Sequence, residues 1–152
     1  TSQMWMAPGA PPVASSGTAS YAMVMDGRYL MENYEGSMMG MPFRGHAITG
    51  YDNNKKEYFN IWIDNMGTGY MLTSGQWDDA ARTLTLTGTY DDPITGAEDQ
   101  AVRSVSHHVD ADHMTYTMYM PGPDGQEFKT LVVNAPRMPA AAVEPVAAPV
   151  AD

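Results

Sequence analysis

Short runs rich in Thr, Tyr, Val, Ile and Met recur every eight to fifteen residues along most of this chain, each closed by Asp, Asn, Gly or Pro. That rhythm leaves little room for anything but an all-β fold, because each run is long enough for one strand and each break carries turn chemistry. Strands are expected near residues 2–6, 15–25, 28–35, 42–51, 56–63, 68–77, 82–90, 98–109, 113–120 and 126–134, about ten in all. Asp26-Gly27 suits a two-residue hairpin, and Asp52-Asn53-Asn54 and Asp64-Asn65-Met66-Gly67 supply residues that tolerate positive φ. Asp91-Asp92-Pro93-Ile94-Thr95-Gly96 and Pro121-Gly122-Pro123-Asp124-Gly125 make longer loops of the same kind.

Several runs alternate strictly. Leu84 and Leu86 share one face of their strand, and Met114, Tyr116, Met118 and Met120 share one face of theirs, so one side of the sheet is dry and the other wet. No window has helical periodicity, which argues against βαβ units and a parallel sheet. The simplest architecture is an antiparallel up-and-down meander that closes into a barrel, since closure removes edge strands. With 152 residues and 43% apolar content, one core and one domain are expected. That domain is read as residues 1–134. From Ala135 to Asp152 the composition turns to Pro and Ala, an extended tail that cannot build a core.

Eighteen acidic residues against eight basic ones give a formal charge of −10, which repels nucleic acid and anionic lipid and favours a cationic protein surface as partner. The absence of cysteine removes disulfides, thiolate nucleophiles, zinc-thiolate sites and iron-sulfur clusters. No run of eighteen apolar residues exists, so no transmembrane helix is expected. The chain begins at Thr1 rather than at a methionine, in keeping with a removed signal segment.

Between residues 36 and 69 a more specific pattern emerges: Gly36-Ser37-Met38-Met39-Gly40-Met41-Pro42-Phe43-Arg44-Gly45, then Gly50-Tyr51-Asp52-Asn53, then Trp62-Ile63-Asp64-Asn65-Met66-Gly67-Thr68-Gly69. With Leu84-Thr85-Leu86-Thr87-Gly88-Thr89-Tyr90-Asp91-Asp92-Pro93 and Gly122-Pro123-Asp124-Gly125-Gln126-Glu127-Phe128-Lys129-Thr130, it resembles the bacterial domain-of-unknown-function family 1579 over roughly residues 3–134. The resemblance implies a lipocalin-like barrel and export to the bacterial cell envelope or periplasm. It carries no catalytic residues. Two departures stand out: the family's Gly-x-Trp stretch is missing before Thr1, and the tail after Ala135 is longer than the family's ending. The first leaves an open seam in expectation, an edge another chain could occupy.

Three groups of residues are candidates for a site. Tyr51, Phe59, Trp62, Tyr70, Trp77, Tyr116 and Phe128 could line a cup for an apolar ligand or simply fill the interior. Met38, Met39, Met41 and His46 have the soft donors that suit Cu(I), although methionine also packs irregular cores. Pro136, Met138, Pro139, Val143, Pro145, Val146 and Pro149 could lie along a neighbouring subunit, where preformed extended structure lowers the ordering cost. His107 and His108 point to opposite faces of one strand, and Asp78-Asp79 and Asp91-Asp92 lie in turns, where Asp serves the backbone. No Gly-x-Ser-x-Gly or phosphate-binding glycine loop is present. The expectation is a non-enzymatic, cofactor-free accessory subunit of a larger envelope assembly, bound to its protein partners through the barrel surface and tail. The alternative is a carrier or sensor of a small apolar molecule held inside the barrel.

Overall fold

The computed structural model describes residues 1–92 and 95–139 and folds them into one antiparallel sheet. Its strands are β1 (Ser2–Met4), β2 (Val13–Ser15), β3 (Gly17–Val24), β4 (Tyr29–Met38), β5 (Met41–Asp52), β6 (Glu57–Asp64), β7 (Met71–Asp78), β8 (Thr83–Tyr90), β9 (Gln100–His108), β10 (His113–Pro121) and β11 (Glu127–Pro136). The order across the sheet is β2-β1-β11-β10-β9-β8-β7-β6-β5-β4-β3. From β3 to β11 every strand pairs with its neighbour in sequence, as an up-and-down meander requires.

The two ends of this order, β2 and β3, are consecutive in the chain and separated by Ser16 alone. One run therefore changes partner midway: Ser15 pairs with Ser2 of β1, while Gly17 pairs with Gly36 of β4. The Ser16 carbonyl accepts the Ser37 amide at 3.3 Å. Glycine is required where the backbones cross so closely, because a Cβ on Gly17 would lie 2.4 Å from the Tyr34 hydroxyl and one on Gly36 2.7 Å from the Ser16 carbonyl. The sheet thus curls into a nearly closed barrel, and the seam left open by the sequence reading is bridged over β1 and β2. Ten expected runs become eleven strands for this reason.

Other boundaries shift where turns override the reading. The β3–β4 connection is Met25-Asp26-Gly27-Arg28 rather than Asp26-Gly27 alone, with φ of 51°, 57° and 79° at its first three residues. β4 and β5 run on to a two-residue turn at Met39-Gly40, both at positive φ, the geometry that matches strand twist. β11 continues past residue 134, with Ala135 facing Met114 and Pro136 facing His113, so the barrel ends two residues later than expected.

Apart from glycines, every buried residue lies on one face. Phe43, Ala47, Thr73, Leu86, Val102 and Ser104 are joined by register through pairs such as Gly88 with Val102 and Leu86 with Ser104. That face is the interior. Yet among the described residues no side chain is fully buried, and Trp62, Tyr116, Met118 and Leu131 remain half-buried on the same face. A barrel of eight strands is just filled by its side chains, and a wider one leaves space inside. The inward face therefore keeps accessible surface rather than being buried throughout. No helix among the described residues is long and apolar enough to cross a membrane.

Candidate functional site

The wall of the lumen is built from the alternation of β4, β5 and β6. Pairing Tyr34 with Gly45, and Gly36 with Phe43, turns Tyr34, Phe43, Gly45 and Ala47 to the same side, and Ala47 in turn pairs with Trp62. Small residues at 45 and 47 leave room for large neighbours. A Cβ on Gly45 would stand 2.1 Å from the Trp62 ring, so the indole lies against bare backbone. Tyr34, Phe43 and Trp62 form a continuous aromatic wall, with ring centroids 5.8 and 6.3 Å apart. The Trp62 indole N–H donates to Asp64 Oδ2 at 2.8 Å, and the Asn60 amide donates to Thr49 Oγ1 at 2.8 Å.

One acid stands against this wall. Glu32 faces inward from β4 opposite Ala47, and the Tyr21 hydroxyl of β3 donates to its Oε1 at 3.2 Å. Removal from bulk water raises the Glu32 carboxyl above the usual carboxylate range, with the Tyr21 hydrogen bond opposing. Tyr21 is raised by burial first, then by the Glu32 charge and the shared hydrogen bond. Tyr34 follows for the first two causes. Tyr21 lies on the inward face of β3 and keeps 47% of its surface accessible.

Tyr116 comes from β10, on the far side of the seam. Its hydroxyl is pushed up to about 12 by burial, with the Glu32 charge adding and a hydrogen bond to Ser104 opposing. By register Tyr116 and Glu32 both lie on the inward face, on β10 and β4. No cationic side chain joins them: Arg44 and Arg103 point outward by register, Lys129 lies over the Trp5 ring at 4.5 Å, Arg137 pairs with Asp112, and Arg28, Lys55, Lys56 and Arg82 sit in turns.

Of the seven aromatic residues picked from sequence, Tyr51, Trp62, Trp77, Tyr116 and Phe128 face inward. Tyr51 stacks edge-on against Tyr58 at 4.9 Å, and Trp77 against His108 at 5.3 Å. Phe59 and Tyr70 do not join them. Phe59 covers Gly50 beside Tyr29 on the outer face, since its neighbour Tyr58 takes the inward position, and Tyr70 is 66% exposed in the β6–β7 connection. Both line a separate open outer groove of about 590 Å³ with Leu72 and Asp52. Sequence reasoning missed Glu32, Tyr21 and Tyr34. The signal was available in the tight Met39-Gly40 turn, which fixes residues 32, 34 and 36 opposite 47, 45 and 43.

The methionine group is divided. Met38 and Met41 pair at the mouth of the β4–β5 hairpin and Met39 occupies its turn, but His46 lies on the opposite face from Met41, its Nδ1 2.7 Å from Asn33 Oδ1. Five residues of strand separate the two by about 17 Å. Among the described residues no group of three or more His, Asp or Glu side chains is placed to hold a metal ion. Of the tail residues, Pro136 is the last of β11, while exposed Met138 and Pro139 follow it; Val143, Pro145, Val146 and Pro149 lie outside the described residues. Arg137 ties the start of the tail to the β9–β10 turn through Asp112 at 3.0 Å.

Fold and site together define an antiparallel up-and-down β-barrel with an aromatic-walled, acid-bearing lumen. The family model described as "Protein of unknown function (DUF1579)" matches residues 1–137, and the chain belongs to that family. Comparison with the curated proteins finds no match.

Proposed function

We propose that this protein is a non-enzymatic carrier or sensor that holds a small, largely apolar molecule inside the barrel. The observation that supports the reading is the inward face itself: Trp62, Tyr116, Met118, Leu131 and Phe128 line a nearly closed sheet yet stay half-buried. Apolar surface left accessible inside a protein is a standing gain for any ligand that covers it, at about 25 cal/mol per Å². The polar groups on the inward face include hydroxyls, amides and two carboxylates, Glu32 and the Asp64 that accepts the Trp62 indole N–H, which orient a ligand. The test has two parts, solvent extraction of the native protein with mass spectrometry and titration with neutral N-phenyl-1-naphthylamine. A stoichiometric apolar molecule, or saturable one-to-one binding that quenches tryptophan emission, supports the reading. Neither result appearing would overturn it.

A second reading is the accessory subunit of a periplasmic or envelope assembly, and β3 favours it. Among the described residues β3 pairs only with β4, and seven of its eight residues are exposed, including Met23 at 59%. Such an edge accepts an added strand. Continued in register, the β1–β2 ladder runs along it, so the incoming strand would be antiparallel to β3. The surface charge would draw a basic partner in a salt-dependent manner. Gentle purification from the source membranes followed by mass spectrometry tests this: fixed-stoichiometry subunits support it, and a lone protein defeats it.

A further inference from the structure

We infer that the lumen selects an organic cation, a ligand with an amine or quaternary ammonium head on an apolar body, and that Glu32 with the rings of Tyr21, Tyr34 and Tyr116 is the head-group site. The inference rests on the lumenal reading above and narrows it to a chemical class.

Charge balance is the first argument. Glu32 faces inward and accepts from Tyr21, and among the described residues no Lys or Arg side chain shares the inward face. A carboxylate taken from water without a counter-charge is costly, and two things relieve that cost: a proton or a cation brought from outside. The second argument is geometry. Tyr21 of β3 pairs with Glu32 and donates to it, Tyr34 lies two residues along β4 on the same inward face, and Tyr116 of β10, also inward by register, is raised in part by the Glu32 charge. Ring faces carry negative quadrupole, and a carboxylate set among them is the combination that recognises alkylated ammonium groups. Phe43 and Trp62 continue the wall away from Glu32 and offer the apolar body its surface. An anionic ligand would meet Glu32 with like charge, and among the described residues no Lys or Arg faces inward to receive it.

The decisive experiment compares two isosteric probes, benzyltrimethylammonium and its neutral carbon analogue neopentylbenzene, by tryptophan quenching and by the indole NMR shift of Trp62. The wild-type protein is expected to bind the cation at least about tenfold tighter than the neutral probe. Glu32→Gln keeps an acceptor for Tyr21 and is expected to abolish that preference while leaving neutral-probe affinity unchanged, which also reports that the barrel is intact. Glu35→Gln, three residues on and on the outer face, removes the same charge from the acidic surface and should leave the preference as it was. In the wild type, cation affinity should fall as Glu32 takes up a proton; Tyr21, Tyr34 and Tyr116, the titratable groups facing it, stay neutral throughout because all three are raised.

Equal binding of the two probes, or a preference that survives in E32Q, overturns the cation assignment and leaves the lumenal carrier standing. If neither probe binds, the carrier reading fails and the assignment falls with it.

Discussion

At the scale of single residues, Glu32 couples the lumen to pH in a direction that can be worked out. Burial raises its folded-state pKa above the ordinary 4.5 of an unfolded chain. Below 4.5 both states hold the proton and the group costs nothing. As pH rises, the unfolded chain releases its proton first and the folded state lags, so stability is lost through the window that opens at 4.5 and closes above the raised pKa. Glutamine mimics the protonated acid at every pH. The stability of wild type relative to E32Q is therefore expected to fall as pH rises above 4.5, read from paired urea melts, and a flat difference would mean that Glu32 is solvated as in the unfolded chain. Glycines give a second residue-scale prediction. A Cβ on Gly75 would meet the Thr85 carbonyl oxygen at 2.0 Å, a backbone atom that cannot step aside, whereas at Gly45 it would meet the movable Trp62 ring. Gly75→Ala is expected to destabilise by about 2–4 kcal/mol in urea denaturation, through the strain of overpacking. Gly45→Ala should cost less and shift Trp62 fluorescence instead. The alternation Phe43-Gly45-Ala47 was open to reading in the sequence, but Glu32 was not. In Tyr29-Leu30-Met31-Glu32-Asn33-Tyr34-Glu35 apolar and polar residues occupy both faces, and an inward acid breaks the pattern that alternation relies on.

Among the elements, one of the two shortest strands has the largest structural consequence. β1 spans three residues, yet it pairs with β11 on one side and β2 on the other, and Trp5 N continues the ladder to the Thr130 carbonyl at 2.9 Å. Gln3, at its centre, faces Val132 and Ala14, so its amide bonds to one neighbour or the other. Gln3→Pro removes that bond in the middle of the sheet and is expected to cost about 2–3 kcal/mol. Hydrogen exchange should rise at Leu131, Val132 and Val133 and stay unchanged in β6 and β7. Uniform change across the barrel would argue that β1 is not the seam. Strand existence was legible because Thr, Tyr and Val runs with Asp, Asn and Gly breaks leave few alternatives, and all ten expected runs carry strands. What escaped was local. The partner change at Ser16 has no signature in composition, because it arises from β1 and β4 competing for one run, and the four-residue turn at Met25–Arg28 depends on three consecutive positive φ values of which only Gly27 and Asp26 give a hint.

For the whole molecule, the register sorts the aromatic and methionine side chains between the inner and outer faces of the sheet, and whether the inner set fills the barrel or lines it is a question for mutation. Face assignment follows from pairing across all eleven strands, so no local window could separate Phe59, outside, from Trp62, inside. The consequence is a molecule whose stability rests on its ladder and its aromatic wall more than on a dense centre, since only Phe43, Ala47, Leu86 and Val102 are buried among the described apolar residues. Ala19 tests this directly. It lies on the inward side of β3 opposite Tyr34, yet it is exposed. In a close-packed core, adding three carbons there would force off-rotamer side chains at about 1–3 kcal/mol. In an open lumen the new side chain finds space and covers apolar wall, so Ala19→Leu is expected to leave unfolding free energy within about 0.5 kcal/mol of wild type or raise it. The same substitution takes up volume beside Tyr34, so binding of N-phenyl-1-naphthylamine should weaken while stability holds. Loss of stability with binding intact would mean that the centre is packed and that the ligand, where one binds, sits elsewhere on the barrel.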